Sequence, residues 1–226
     1  MTTQTTQLTA SAFEKTDGLQ DWRVISEGGC IYFRTASFAD SARLVQVIAE
    51  LPEIGDHPPA IDIRAGGVTV RTISVSADYM GMTTADVALA QRISALGREL
   101  GLTADPARIQ ALLVIPGAPD IKAVMPFWQA VLGYQPRIDS PAEDLVDPLD
   151  RGAPFWFETM QEPRSDRGGG DVHISVWVPH DQAEARVAAA LAAGGHMVRD
   201  DYAPAWWTLA DTAGNEVDVS TTAARD

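Results

Sequence analysis

The chain has 226 residues, 46% of them hydrophobic, and sets 17 Lys plus Arg against 31 Asp plus Glu for a formal charge of -14. That length suffices for one large core or two small ones, and so negative a surface repels nucleic-acid backbones, which excludes nucleic acid as an expected partner. The single cysteine, Cys30, permits no intrachain disulfide and points to a reducing, cytoplasmic setting, while no apolar run reaches the length of a membrane span.

Residues 1–11 are polar and uncharged, without the basic start and apolar core of a leader, and are expected to form a flexible tail. "WRVIS" and "CIYFRTA" are short, rich in β-branched and aromatic residues, and separated by the turn "EGG". The period then changes: Phe38, Ala42, Val45, Ile48 and Ala49 share a helical face, with Ser37 or Asp40 as the cap. "AIDIRAGGVTVRTISVS" returns to period two and reads as a hairpin turning at "AGG". "TTADVALAQRISALGRELG" predicts a long helix, capped by Thr83 or Thr84, with Asp86 in its first turn and Gly101 at its stop. This first half therefore reads strand, strand, helix, strand, strand, helix over residues 12–104, with the boundary near Asp105.

From residue 105 to 222 the pattern differs. "IQALLVIPG" is a strand and "PDIKAVMPFWQAVLG" a helix bent or started near Pro126. A polar, turn-rich stretch leads to the strand "APFWFETM" and the loop "QEPRSDRGGG". "DVHISVWVP", the alanine-rich "DQAEARVAAALAAGG", and then "HMVRDDY", "AWWTLAD" and "NEVDVST" give strand, helix and three strands. The two stretches share one layout at low identity, so a duplication enclosing a cavity rests on layout.

His57 in "GDHPP" reads either as a surface loop residue or as a general acid or base at a strand edge. Around it, "IYFRTASFADSARLVQVIAEL", "DHPPAIDIRAGGVTVRT" and "GMTTADVALAQRI" resemble the pterin-4a-carbinolamine dehydratase family over roughly Phe13 to Leu100. The resemblance implies an α+β domain, an antiparallel sheet with helices on one face. That family carries two histidines followed by proline, and a third histidine at the end of the strand after the hairpin. Here the first falls on His57, the second on Pro58 and the third at or near Val75, with Pro59 as the motif proline. Proline and valine exchange no side-chain proton, and Asp56, Asp78 and Tyr79 are the available substitutes. The half is expected to keep the dehydratase fold with a degenerate site. Dehydration of a pterin-like ring by His57 is the alternative.

In the second half "FWQAVLGY", "VHISVWV", "AAALAAGGHMV" and "WWTLADTAGNEVDV" resemble the glyoxalase-like proteins of the vicinal oxygen chelate superfamily, which implies paired βαβββ modules. The ligand positions of that superfamily's metal enzymes fall on Gln110, Glu158, His173 and Asp218, one amide, two carboxylates and one imidazole able to hold a divalent metal. The resemblance implies His173 as the proton-transfer residue or a ligand, oriented by Asp218 and Glu158. Without a metal, these are polar groups of an organic-ligand pocket. Trp128, Trp156, Trp177, Trp206 and Trp207 supply flat surfaces for a ring, and Arg164 lies in a loop able to close over an anionic group. The leading expectation is a small-molecule lyase, isomerase or hydrolase working in this C-terminal cavity. The other alternative is a protein that sequesters a small molecule, with the N-terminal half making a homodimer.

Overall fold

The computed structural model describes residues 6–25, 28–109, 111–159, 174–178, 183–221 and 223–224. The chain divides into two compact units, Met1–Ala111 and Leu112–Asp226, each with its own hydrophobic core. Gln110, Arg164 and His173, with the side chain of Trp177, lie outside the described residues.

The first unit runs β1 (Gln7–Leu8), α1 (Ala10–Glu14), β2 (Arg23–Ile25), β3 (Gly28–Arg34), α2 (Phe38–Ala49), a 3-10 turn (Pro52–Gly55), β4 (Ala60–Arg64), β5 (Gly67–Thr72), β6 (Ser74–Ser76), β7 (Tyr79–Thr83), α3 (Thr84–Glu99) and β8 (Thr103–Ala104). The main sheet is antiparallel in the order β2-β3-β5-β4, with β8 on β3. Alternation decides its faces. Ile31, Phe33, Val68 and Val70 point into a core shared with Leu44 and Ile48 of α2 and Leu89, Ala90 and Ile93 of α3. Gly97 lets α3 approach β3 closely, since a Cβ there would fall 2.3 Å from a ring carbon of Phe33. Trp22 closes the core and donates its indole N–H to Ser94 Oγ at 2.8 Å.

The segment expected as a tail is paired from Gln7, and the expected strand "AIDIRAGGVTVRTISVS" is broken after Thr72, its end pairing with an unexpected strand over Tyr79–Thr83. Gln7 and Leu8 pair with Thr83 and Met82, and Thr9 caps α1. Residues after β5 form a second hairpin, β6–β7, registered Ser74 to Gly81. β1, with two residues, is too short to show a period, because alternation needs four or more positions.

The second unit runs β9 (Gly117–Ala118), α4 (Ile121–Leu132), β10 (Gln135–Pro136), β11 (Asp144–Val146), β12 (Phe155–Trp156), β13 (Glu158–Thr159), β14 (Ile174–Trp177), α5 (Ala183–Ala192), β15 (His196–Arg199), β16 (Trp206–Ala210) and β17 (Glu216–Ser220). Its duplication is visible in the pairing. In the second module β14 lies parallel to β17, which pairs antiparallel with β16, and β16 with β15. In the first, β9 lies parallel to β13 and Val114 bridges Phe155 in parallel, while β12 pairs antiparallel with β11 and β11 with β10. Each module is therefore βαβββ with its first strand beside its last. Helix α4 starts at the cap Asp120, contains Pro126, and ends at Gly133 in the left-handed region (φ 70°), which a residue without Cβ adopts without strain. Phe127, Trp128 and Val131 of α4 and Val187 of α5 pack on Leu145, Phe155, Leu209, Val217 and Val219 of the strands.

Candidate functional site

The most completely built polar constellation lies in the first unit, around Asp86. Thr83 caps α3 and Asp86 is its third residue, so the two form a capping box in which Asp86 accepts the Thr83 backbone N–H at 2.8 Å. The same carboxylate accepts four side-chain donors. Oδ2 receives the hydroxyls of Ser74 at 2.7 Å and Thr83 at 2.9 Å. Oδ1 receives the Thr72 hydroxyl at 2.6 Å and sits 2.8 Å from His57 Nε2. Asp86 has no exposed surface at all, whereas the His57 side chain keeps 21% of its own. Burial pushes the Asp86 carboxyl up, but the hydrogen bonds from His57, Thr72, Ser74 and Thr83 together outweigh it and hold the group below its ordinary value. Asp86 is thus an ionised, buried carboxylate.

Proton counting then fixes the imidazole. Thr72 has one hydroxyl proton and gives it to Asp86, so its oxygen, 3.1 Å from His57 Nε2, accepts there. Ionised Asp86 also only accepts. Nε2 therefore carries the proton, and in the neutral ring the lone pair is on Nδ1. His57 is placed by the 3-10 turn before it, where its backbone N–H donates to Glu53 O at 3.0 Å.

His57 lines a cavity of about 450 Å³ together with Gln7 of β1, Asp56, Ser74, Val75, Ser76, Tyr79 and Thr83. Tyr79 donates its hydroxyl to Met82 O at 2.7 Å; burial first, then the nearby Asp86 charge, raises its pKa and keeps it protonated. Of the three substitutes named for the missing histidines, Asp56 and Tyr79 line the cavity, as does Val75. Sequence reasoning marked Asp86 only as a helix-start residue and did not single out Thr72 or Ser74. The Thr-x-x-Asp spacing signalled the cap, but nothing local signalled a histidine 29 residues away.

In the second unit Val217 and Val219 of β17 face the core, and Asp218 lies on the opposite face. There it pairs across with Thr208, whose hydroxyl it accepts at 2.7 Å. Ser175 and Ser220 share a hydrogen bond of 2.9 Å on the same face. Trp206 stacks on Tyr202 with ring centres 4.2 Å apart, while its neighbour Trp207 packs on the core. Trp128, expected at a pocket wall, is placed in the core at 1% exposure, where its indole N–H satisfies the buried Asp211 at 2.9 Å; α4 turns its most apolar face onto the sheet. Trp156 is 37% exposed, and Glu158 is exposed on β13. Of the four expected metal ligands, Glu158 and Asp218 fall among the described residues, which hold no group of three metal-ligating side chains.

Residues 4–96 match the family model for pterin 4 alpha carbinolamine dehydratase, and residues 113–220 match that for a glyoxalase-like domain. No curated protein matches the chain. Similar solved structures include a glyoxalase-related enzyme from Fulvimarina pelagi, 20% identical over 50% of this chain and 87% of that one, at a TM-score of 0.38. A glyoxalase/dioxygenase from Nostoc punctiforme is 10% identical over 50% and 90% of the two chains, at 0.40. The fosfomycin resistance protein FosX from Mesorhizobium loti is 12% identical over 50% and 89%, at 0.38. The C-terminal region thus matches a glyoxalase-like domain and the N-terminal region the dehydratase family, as their segments imply. Among the described residues no helix is long and apolar enough to cross a membrane.

Proposed function

We propose that the N-terminal cavity performs acid–base chemistry on a hydroxylated, nitrogen-bearing ring, a dehydration of the 4a-hydroxypterin type, with His57 as the proton-transfer group. The carrying observation is that His57 lines the cavity while its Nε2 is held by the fully buried Asp86 and by Thr72. The neutral imidazole takes the ring N–H proton at Nδ1. The nitrogen's electron pair forms the C=N bond as the adjacent C–O bond breaks. The same proton passes to the departing hydroxyl, which leaves as water, so no proton is gained or lost. Ionised Asp86 stabilises the imidazolium that exists between the two transfers. One imidazole thereby covers roles for which the dehydratase pattern has three histidines. The test is the dehydration rate of a 4a-hydroxytetrahydropterin. His57→Gln is expected to lower kcat by about 100-fold or more with KM little changed. A wild-type chain no faster than the uncatalysed reaction, or a His57→Gln variant at the wild-type rate, rejects the reading.

The hydroxyl-rich sheet face of the second unit supports a second reading, small-molecule chemistry or ligand binding around Asp218, Thr208, Ser220 and Trp206. In it His173 either transfers the proton or, together with Gln110, Glu158 and Asp218, would hold a divalent metal through oxygen and nitrogen donors that suit such an ion. Metal content of the native protein beside His173→Ala tests that version: near one ion per chain, lost in the variant, supports it, and none discards it.

A further inference from the structure

We infer that the N-terminal cavity selects its ligand by charge and by hydrogen-bond sense: it takes an uncharged or protonated ring rich in N–H donors and rejects a ring carrying a phosphate or carboxylate. The inference rests on the acid–base reading of the same cavity.

The first observation is what lines it. No lysine or arginine is among the described lining residues, whereas Asp56 is. Behind His57 lies the buried carboxylate of Asp86. If His57 is neutral, Asp56 and Asp86 leave the site two negative charges. If it is protonated, one remains. An anionic group is repelled in either state.

The second observation concerns the start of α3, which borders the cavity through Thr83 and Ala85. Helix starts attract anions through unpaired backbone N–H groups. Here those groups are taken from within. Thr84 N–H donates to Thr6 O at 2.9 Å, Ala85 N–H to Thr83 Oγ1 at 3.2 Å, and Asp86 N–H to the Thr83 side chain in the capping box. The chain's own carboxylate, Asp86, already occupies the place an anion would take.

The third observation is the sense of the hydroxyls. Ser74 spends its proton on Asp86, and Tyr79 spends its proton on Met82 O. Neither hydroxyl keeps a proton to donate to a ligand, and Ser74 Oγ also lies 2.8 Å from Thr83 Oγ1. Asp56 and, in its neutral form, the imidazole of His57 add acceptors to the lining, so that acceptors outnumber the donors of Gln7 and Ser76 and ring N–H and amino groups are favoured. Val75, 56% exposed, offers an apolar surface to the ring face.

The probes are 6-hydroxymethylpterin and its monophosphate, one ring with and without the charge, titrated into the full chain at low ionic strength. The wild-type chain is expected to bind the unphosphorylated ring at least tenfold tighter. Asp56→Lys, at an exposed turn position, is expected to raise the monophosphate's affinity about tenfold without changing the thermal midpoint. Equal or tighter binding of the monophosphate by the wild-type chain overturns the inference and leaves the acid–base reading standing. An unchanged ratio in Asp56→Lys overturns selection by Asp56. Binding of neither ring overturns the acid–base reading itself, and the inference with it.

Discussion

Replacing Asp86 by asparagine keeps the shape of the side chain and removes its charge. The carboxylate accepts on both oxygens, from Thr72 and His57 on one and from Ser74 and Thr83 on the other. A carboxamide accepts on one side only. If its oxygen faces His57, its NH₂ meets the Thr83 backbone N–H, which loses its acceptor in the interior. If its NH₂ faces His57, the imidazole must move its proton to Nδ1. A buried donor left unpaired costs about 1–3 kcal/mol, and hydrogen bonds to a charged group are worth about 1.5–3 kcal/mol each. A loss of about 3 kcal/mol at neutral pH follows from losing these bonds and leaving one buried donor unpaired. The sign with pH is fixed as well. The Asp86 pKa is lowered on folding, so its contribution is fully present above the unfolded carboxylate value and is lost as pH falls through the depressed folded value. Urea denaturation of wild type and Asp86→Asn at pH 7, and at steps below about pH 5, should give curves that converge as acid is added. A difference under about 1 kcal/mol at pH 7, or one that stays constant into acid, refutes the reasoning.

Other substitutions probe single contacts. Thr72→Val removes both a donor to Asp86 and an acceptor of His57 Nε2; it should cost about 1–3 kcal/mol and lower kcat in the dehydration assay, and Thr72→Ser should restore both. Gly97→Ala sets a methyl 2.3 Å from the Phe33 ring and should destabilise by about 1–3 kcal/mol through overpacking, read as a lowered urea midpoint. Trp128→Phe keeps the apolar packing of α4 but takes the indole donor from buried Asp211, at about 1–3 kcal/mol by the same measurement.

The long periodic elements were legible because burial writes them into the sequence. The alternation of β5 and the apolar stripe of α3 appear where periodicity placed them. On α2 the buried face is Ser41, Leu44 and Ile48, and Phe38, expected on it, is 57% exposed. The strand expected over "IQALLVIPG" is reduced to the bridge at Val114 and to β9 at Gly117–Ala118 among the described residues. The dehydratase-like and glyoxalase-like segments gave the two folds. The strands β1 and β7 were not legible, since they are held by pairing across 70 or more residues or by one tight hairpin. The candidate site was half legible. His57 stood out as a lone titratable group beside prolines. Its partner was hidden in plain view, because a carboxylate in a first helical turn already has a local explanation. That Asp86 serves both the cap and the histidine follows only once β5, β6 and α3 meet. Trp128 misled for a related reason: an aromatic near a cavity and an aromatic in a core have the same spacing on a helix.

The central claim is that one imidazole, protonated at Nε2 and bearing its lone pair on Nδ1, is the working group of the N-terminal cavity. Nitrogen-15 shifts of the His57 ring in the full chain, recorded with and without 6-hydroxymethylpterin, test it most directly. The account predicts an Nε2–H tautomer in the free protein and a shift confined to Nδ1 when the ring binds. An Nδ1–H tautomer, or an imidazole that does not respond to the ligand, would contradict it.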